Sequence, residues 1–104
     1  MPEMYFDVQF PDGPAERCYS PSLIVRELLC EGSEYPAFEF MARTRAALTI
    51  AAERVRLKYG FHCSAALDQL ARLEALSARH GPDEIVKVLA FTSKGAPLTG
   101  VGPA

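Results

Sequence analysis

The 104-residue sequence has neither a dominant charge sign nor a long hydrophobic run. Its 11 basic and 13 acidic side chains leave a formal charge of −2, without the positive footprint of a dedicated nucleic-acid binder. The longest weakly polar run, residues 46–52, is bounded by Arg45 and Glu53 and falls far short of the ~20 residues of a membrane-spanning helix. The opening Met1-Pro2-Glu3-Met4 has no cationic stretch followed by an apolar one, so no secretory signal is expected. Cys18, Cys30 and Cys63 are an odd number with no C-x-x-C spacing, which argues against a disulfide framework and a zinc knuckle. The expectation is a soluble protein of a reducing cytoplasm, with no nucleic-acid or membrane partner. Gly-rich phosphate loops, H-E-x-x-H and G-x-S-x-G patterns are missing. Glu3, Asp7, Glu16, Glu39 and Glu53 have no spacing that forces two carboxylates together.

What is present is enough hydrophobic material, 49% of residues, for one small core. A chain of this length buries roughly 60 to 70% of its unfolded surface. Residues 4–10 alternate, with Met4, Phe6, Val8 and Phe10 on one face and Tyr5, Asp7 and Gln9 on the other, the period of a half-buried strand. Pro11-Asp12-Gly13 reads as a tight turn, with a positive φ open to the glycine, and residues 15–19 return as the second strand of a hairpin. In Ser20-Pro21-Ser22 a serine oxygen is placed to cap a first helix, with proline at its first position, running to about Cys30 and stopping at Gly32.

Residues 36–59 predict the longest helix, closed by Gly60. Ala37, Met41, Leu48, Ala52, Val55 and Tyr59 form its core stripe. Ala46, Ile50 and Leu57 make a thinner apolar line opposite, suited to helix one, the tail or another subunit, with a neighbour from the same chain preferred. Ser64 is placed to cap a third helix over residues 65–79, with Ala66, Leu67, Leu70 and Leu73 inward and Asp68 supporting Arg72. Residues 84–92 read as a strand that joins the hairpin.

The order β-β-α-α-α-β predicts an α+β fold. Its small antiparallel sheet, the hairpin plus the C-terminal strand, has helices packed on one face. Residues 1–92 form the single domain and residues 93–104, rich in glycine and proline, a flexible tail. On the uncovered face Tyr5 and Tyr19 offer a sticky surface and a route to a dimer.

For chemistry, Cys18 and Cys63 are the candidate functional thiols. Cys63 stands at a helix N-terminus, where partial positive charge favours a thiolate. Against this stands cysteine's usual role as a small buried hydrophobe. A metal site from Cys18, His62 and Cys63 lacks a fourth ligand, and no metal or cofactor is assigned. Arg43, Arg45, Arg54, Arg56 and Lys58 form the basic concentration, yet Arg43 and Arg45 lie about 200° apart around the helix, as solvated faces would have them.

The segments Glu16-Arg17-Cys18-Tyr19-Ser20-Pro21-Ser22-Leu23 and Arg56-Leu57-Lys58-Tyr59-Gly60-Phe61-His62-Cys63-Ser64-Ala65-Ala66-Leu67-Asp68-Gln69-Leu70 resemble a family of small bacterial nitrogen-starvation response proteins. The opening tetrapeptide and the Pro11-Asp12-Gly13 turn are similar to it as well. The resemblance implies a gene accompanied by those of a nitrilase, a radical-SAM protein and an acetyltransferase, in clusters linked to nitrogen limitation and nitrile or cyanide use. It carries over no catalytic residue. Tyr19, Ser20, Tyr59, Phe61 and His62 are candidate binding residues, and Ala46, Ile50, Leu57 and Tyr5 candidate interface residues. The expected role is that of an accessory or regulatory domain, not an enzyme. It would bind a protein encoded in the same cluster or a second copy of itself; the alternative is a small-molecule or metal-binding protein, or a minor enzyme, using Cys18 and Cys63.

Overall fold

The computed structural model describes residues 3–11, 13–61 and 63–93. Residues 1–2, Asp12, His62 and residues 94–104 lie outside them; of the expected tail, residues 93–104, Ser93 alone is described, and it pairs with Met4 in the sheet. The elements run β1 (Met4–Gln9), β2 (Ala15–Ser20), α1 (Val25–Leu28), β3 (Glu34–Pro36), α2 (Ala37–Tyr59), α3 (Ser64–Ser77) and β4 (Ile85–Ser93). The α+β architecture holds: one antiparallel sheet in the order β2-β1-β4-β3, backed by the helices.

β1 pairs β2 with Tyr5 opposite Tyr19 and Phe6 opposite Cys18, and pairs β4 on its other side. Met4, Phe6, Val8, Cys18, Val86 and Val88 turn toward the helices and are buried. The run Val88-Leu89-Ala90-Phe91 is apolar throughout because the register shifts between Asp7 and Val8. Val8 faces Val88 and Asp7 faces Ala90, so Leu89 is the extra residue of a bulge and stays 40% exposed. The bulge lets Val88 and Phe91, three apart, both reach the core.

The sheet has four strands, one more than the sequence predicts. β3 is only three residues long, too short to display a period, and its Pro36 resembles a helix opening. Gly32, at φ 83°, turns the chain onto β4, donating its N–H to the Val88 carbonyl at 2.8 Å. α2 therefore starts at Ala37. Its first amides donate to backbone carbonyls, Ala37 to Glu84 at 2.7 Å and Phe38 to Pro82 at 3.1 Å, which answers donors a helix start leaves open.

α1 is four residues long, shorter than the sequence predicts. The serines hold the preceding segment in turns and do not cap the helix. Ser20 Oγ donates to the Ser22 carbonyl at 2.7 Å, and Ser22 Oγ accepts from the Ile24 amide and from Arg54 Nη1. Cys63, not Ser64, is the residue before α3, and no side chain caps either helix. Gly13 does not use the positive φ expected of it; Gly32 and Gly60 are the described glycines that do.

In α2 the buried arc is Ala37, Phe40, Met41, Thr44, Ala47, Leu48, Ala51, Ala52 and Val55, about 140° wide at 100° per residue. Tyr59 falls on that arc but is 51% exposed, because Val55 is the last α2 residue its neighbours cover. Ala46, Ile50 and Leu57 are exposed, so the preferred neighbour from the same chain is not found among the described residues. Val25 of α1 and Leu29, the residue after it, enter the common core instead. In α3, Ala66 and Leu73 are buried and Leu70 partly so, whereas Leu67 is 44% exposed. Arg72 reaches past Asp68 to Glu16 of β2, at 2.6 Å.

Candidate functional site

The two segments singled out in the sequence, about forty residues apart, form opposite walls of one cleft of about 290 Å³. The hairpin side supplies Glu3, Tyr19 and Pro21; the helix side supplies Val55, Tyr59, Phe61 and Cys63. The hairpin register makes the first wall. Tyr19 stands opposite Tyr5, and Glu3, two residues before Tyr5, projects to the same side. The Tyr19 hydroxyl donates to Glu3 Oε2 at 2.9 Å. Burial and this bond to a carboxylate push the Tyr19 hydroxyl well above its ordinary range, so it stays a protonated donor.

The second wall follows from the end of α2. Gly60, at φ 85°, closes the helix and returns its N–H to the Arg56 carbonyl at 2.8 Å. The reversal lays Phe61 against Tyr59 with ring centroids 6.1 Å apart and planes 22° from parallel. It also brings Cys63, half-buried, to the edge of the cleft.

The cleft thus assembles Tyr19, Tyr59, Phe61 and Cys63 from the candidate residues. Cys18 is not in its lining: strand alternation turns it to the opposite face from Tyr19, where it is fully buried opposite Phe6. Burial raises the Cys18 thiol far above its ordinary value, with Glu16 and Asp7 adding to the effect. A neutral core thiol is a poor nucleophile and a poor metal ligand. Ser20 is fully buried and spends its hydroxyl on the Ser22 turn. Tyr5 lies on the open face of the sheet, 6.1 Å from the Tyr19 ring, with the Arg17 guanidinium 5.4 Å from its own ring centre. His62 lies outside the described residues. Among the described residues no group of three or more His, Cys, Asp and Glu could hold a metal ion, and no helix is long and apolar enough to cross a membrane.

Gln69, Glu3, Pro21 and Val55 are not among the candidate site residues of the sequence, where Pro21 reads as a helix opening and Val55 as core. Gln69 Oε1 accepts the outward N–H of Tyr19 at 3.0 Å, fixing the wall's strand to α3. Glu3 had a signal in the sequence: the hairpin register puts it on the side of Tyr5. Gln69 had none, because its partner is fifty residues away. Of the basic concentration, Arg43 pairs with Glu39, Arg45 with Glu74 and Arg56 with Glu53, while Arg54 bonds to Ser22.

No curated protein and no solved structure matches the chain. A family model does match, over residues 5–91, a span that includes most of β1 and β4 and all of the elements between them. The chain belongs to the family described as nitrogen starvation-induced protein NitG.

Proposed function

We propose that this chain is a non-catalytic component of the bacterial response to nitrogen starvation, acting in the cytoplasm by protein contact along the outer line of α2. The observation that carries this reading is the exposure of that line. Ile50 is 39% and Leu57 70% exposed, on a helix whose other side is packed into the core. Residues 46, 50, 53 and 57 follow steps of four, three and four, the spacing of a helix seam. Glu53 sits within that seam and is held by Arg56 of the same helix. Apolar side chains left on a helix exterior in such a row suit a partner helix.

The partner is a second copy of the chain or a product of the accompanying genes, which the resemblance gives as a nitrilase, a radical-SAM protein and an acetyltransferase. The test uses the full chain and its Ile50→Asp/Leu57→Asp variant as baits in nitrogen-starved cells. Both substitutions lie on exposed positions, and circular dichroism checks that the variant keeps its fold. The wild type is expected to enrich itself or one of those gene products, and the variant to lose at least about tenfold of it, the effect of burying an unpaired charge at a contact. Equal enrichment by both baits, or none by either, overturns the reading.

A second reading, binding of a small molecule, is favoured by the cleft that Tyr19, Tyr59, Phe61 and Cys63 share. It does not require Cys18.

A further inference from the structure

We infer that the cleft between Tyr19 and the Tyr59–Phe61 pair is a binding site for a small soluble organic cation of the alkylated ammonium type. The inference is independent of the α2 contact, since Tyr59 projects from the opposite side of the helix to Ile50 and Leu57.

Three aromatic rings, from Tyr19, Tyr59 and Phe61, line a space of about 290 Å³, the size of a compact headgroup-sized molecule. Tyr59 and Phe61 are 51% and 61% exposed, so their rings add little to the core and are open to a ligand in the cleft they line. A ring face carries negative quadrupolar charge, and a cation within about 6 Å of its centre is attracted. The Lys58 ammonium, 5.6 Å from the Tyr59 ring centre, already holds such a position, which a bound cation takes over as this exposed side chain swings away.

The charge of the lining has the same sign. Glu3 is the ionisable carboxylate of the cleft, held by the Tyr19 hydroxyl, and no lysine or arginine lines it among the described residues. Glu3 acts through its field and needs no open coordination. The end of α2 and the start of α3 meet here with dipoles of opposite sign, which leaves the carboxylate and the rings to set the preference. The floor, Val55 and Pro21, is apolar and suits the methyl groups of an alkylated ammonium better than a hydrated metal ion. An anion would meet Glu3, and a neutral molecule would gain only apolar contact.

Choline is the probe, with 3,3-dimethyl-1-butanol as its uncharged isostere. The readout is the ring-proton NMR shifts of Tyr59 and Phe61 in the full chain, and those of Tyr19 where the two rings are replaced. Choline is expected to shift both saturably, with the isostere about tenfold weaker, as one cation over a ring implies. Glu3→Gln is expected to weaken choline about threefold or more while leaving the isostere unchanged. Tyr59→Leu/Phe61→Leu keeps apolar bulk without π-faces and is expected to abolish the difference between the two probes. Phosphatidylcholine vesicles, in a second arm, are expected not to sediment the protein. Equal affinity for both probes, no shift with choline up to about 50 mM, a preference that survives loss of both rings, or co-sedimentation with the vesicles overturns the inference.

Discussion

Cys18 and Cys63 are alike in composition and different in environment, and the environment decides their chemistry. Cys18, fully buried, holds its proton well above the ordinary thiol value of 9.0, chiefly because a thiolate there would lose its hydration. The unfolded chain releases that proton near pH 9 while the folded chain keeps it. This contribution to stability is therefore complete below about pH 9 and declines above it, by about 1.4 kcal/mol per pH unit until the folded thiol ionises. Tyr19, raised in the same direction by burial and by Glu3, adds to the fall at higher pH. Chemical denaturation from pH 7 to 10.5 should show that decline, and Cys18→Ala should make it shallower even though the variant is less stable throughout. A slope unaltered by the substitution would contradict the assignment. Thr44 makes a second residue-scale prediction. It is fully buried in α2, and its hydroxyl has no hydrogen-bond partner among the described residues. Thr44→Val keeps the shape and removes an unsatisfied group, and should raise the unfolding free energy by about 1 kcal/mol, measured in the same denaturant titration.

Among the elements, those with a long period were legible in the sequence and those fixed by distant partners were not. β1 alternates without exception over Met4–Gln9, and α2 carries both its core stripe and its closing Gly60, so both were predicted close to their bounds. α2's buried arc also takes in Phe40, Thr44, Ala47 and Ala51, and the small Ala47 and Ala51 allow its neighbours to wrap further round. β3 escaped because three residues carry no period and its pairing depends on Gly32 and on Val88, more than fifty positions later. α1 was overestimated because serine hydroxyls bond to nearby backbone as readily as they cap a helix. The aromatic wall of the cleft was visible as residue types, but its closure rests on Gln69 and on the hairpin register. Gln69 predicts a clear result. Gln69→Ala leaves the Tyr19 N–H without its partner and loosens α3 from β2, at a cost of about 1 kcal/mol. Hydrogen exchange should be faster at the Tyr19 amide than in the wild type, and unchanged in β3 on the far edge. Uniform acceleration across the sheet would mean that Gln69 has no local role.

At the scale of the whole molecule, the edges of the sheet are covered or blunted. α3 lies along β2 through Gln69 and the Arg72–Glu16 pair, and β3 offers a short edge ending in proline. The open face of the sheet is knitted by Arg17, which forms a bidentate pair with Asp7 at 2.8 and 2.9 Å and stands over the Tyr5 ring. The outer line of α2 lacks such cover. The most direct measurement is site-specific photo-crosslinking in nitrogen-starved cells, with a photoreactive phenylalanine derivative in place of Ile50 and, as a control on another exposed helix face, in place of Leu67. A covalent adduct of higher mass from position 50 and none from position 67 is the predicted result. No adduct from position 50, or equal adducts from both positions, would contradict the account.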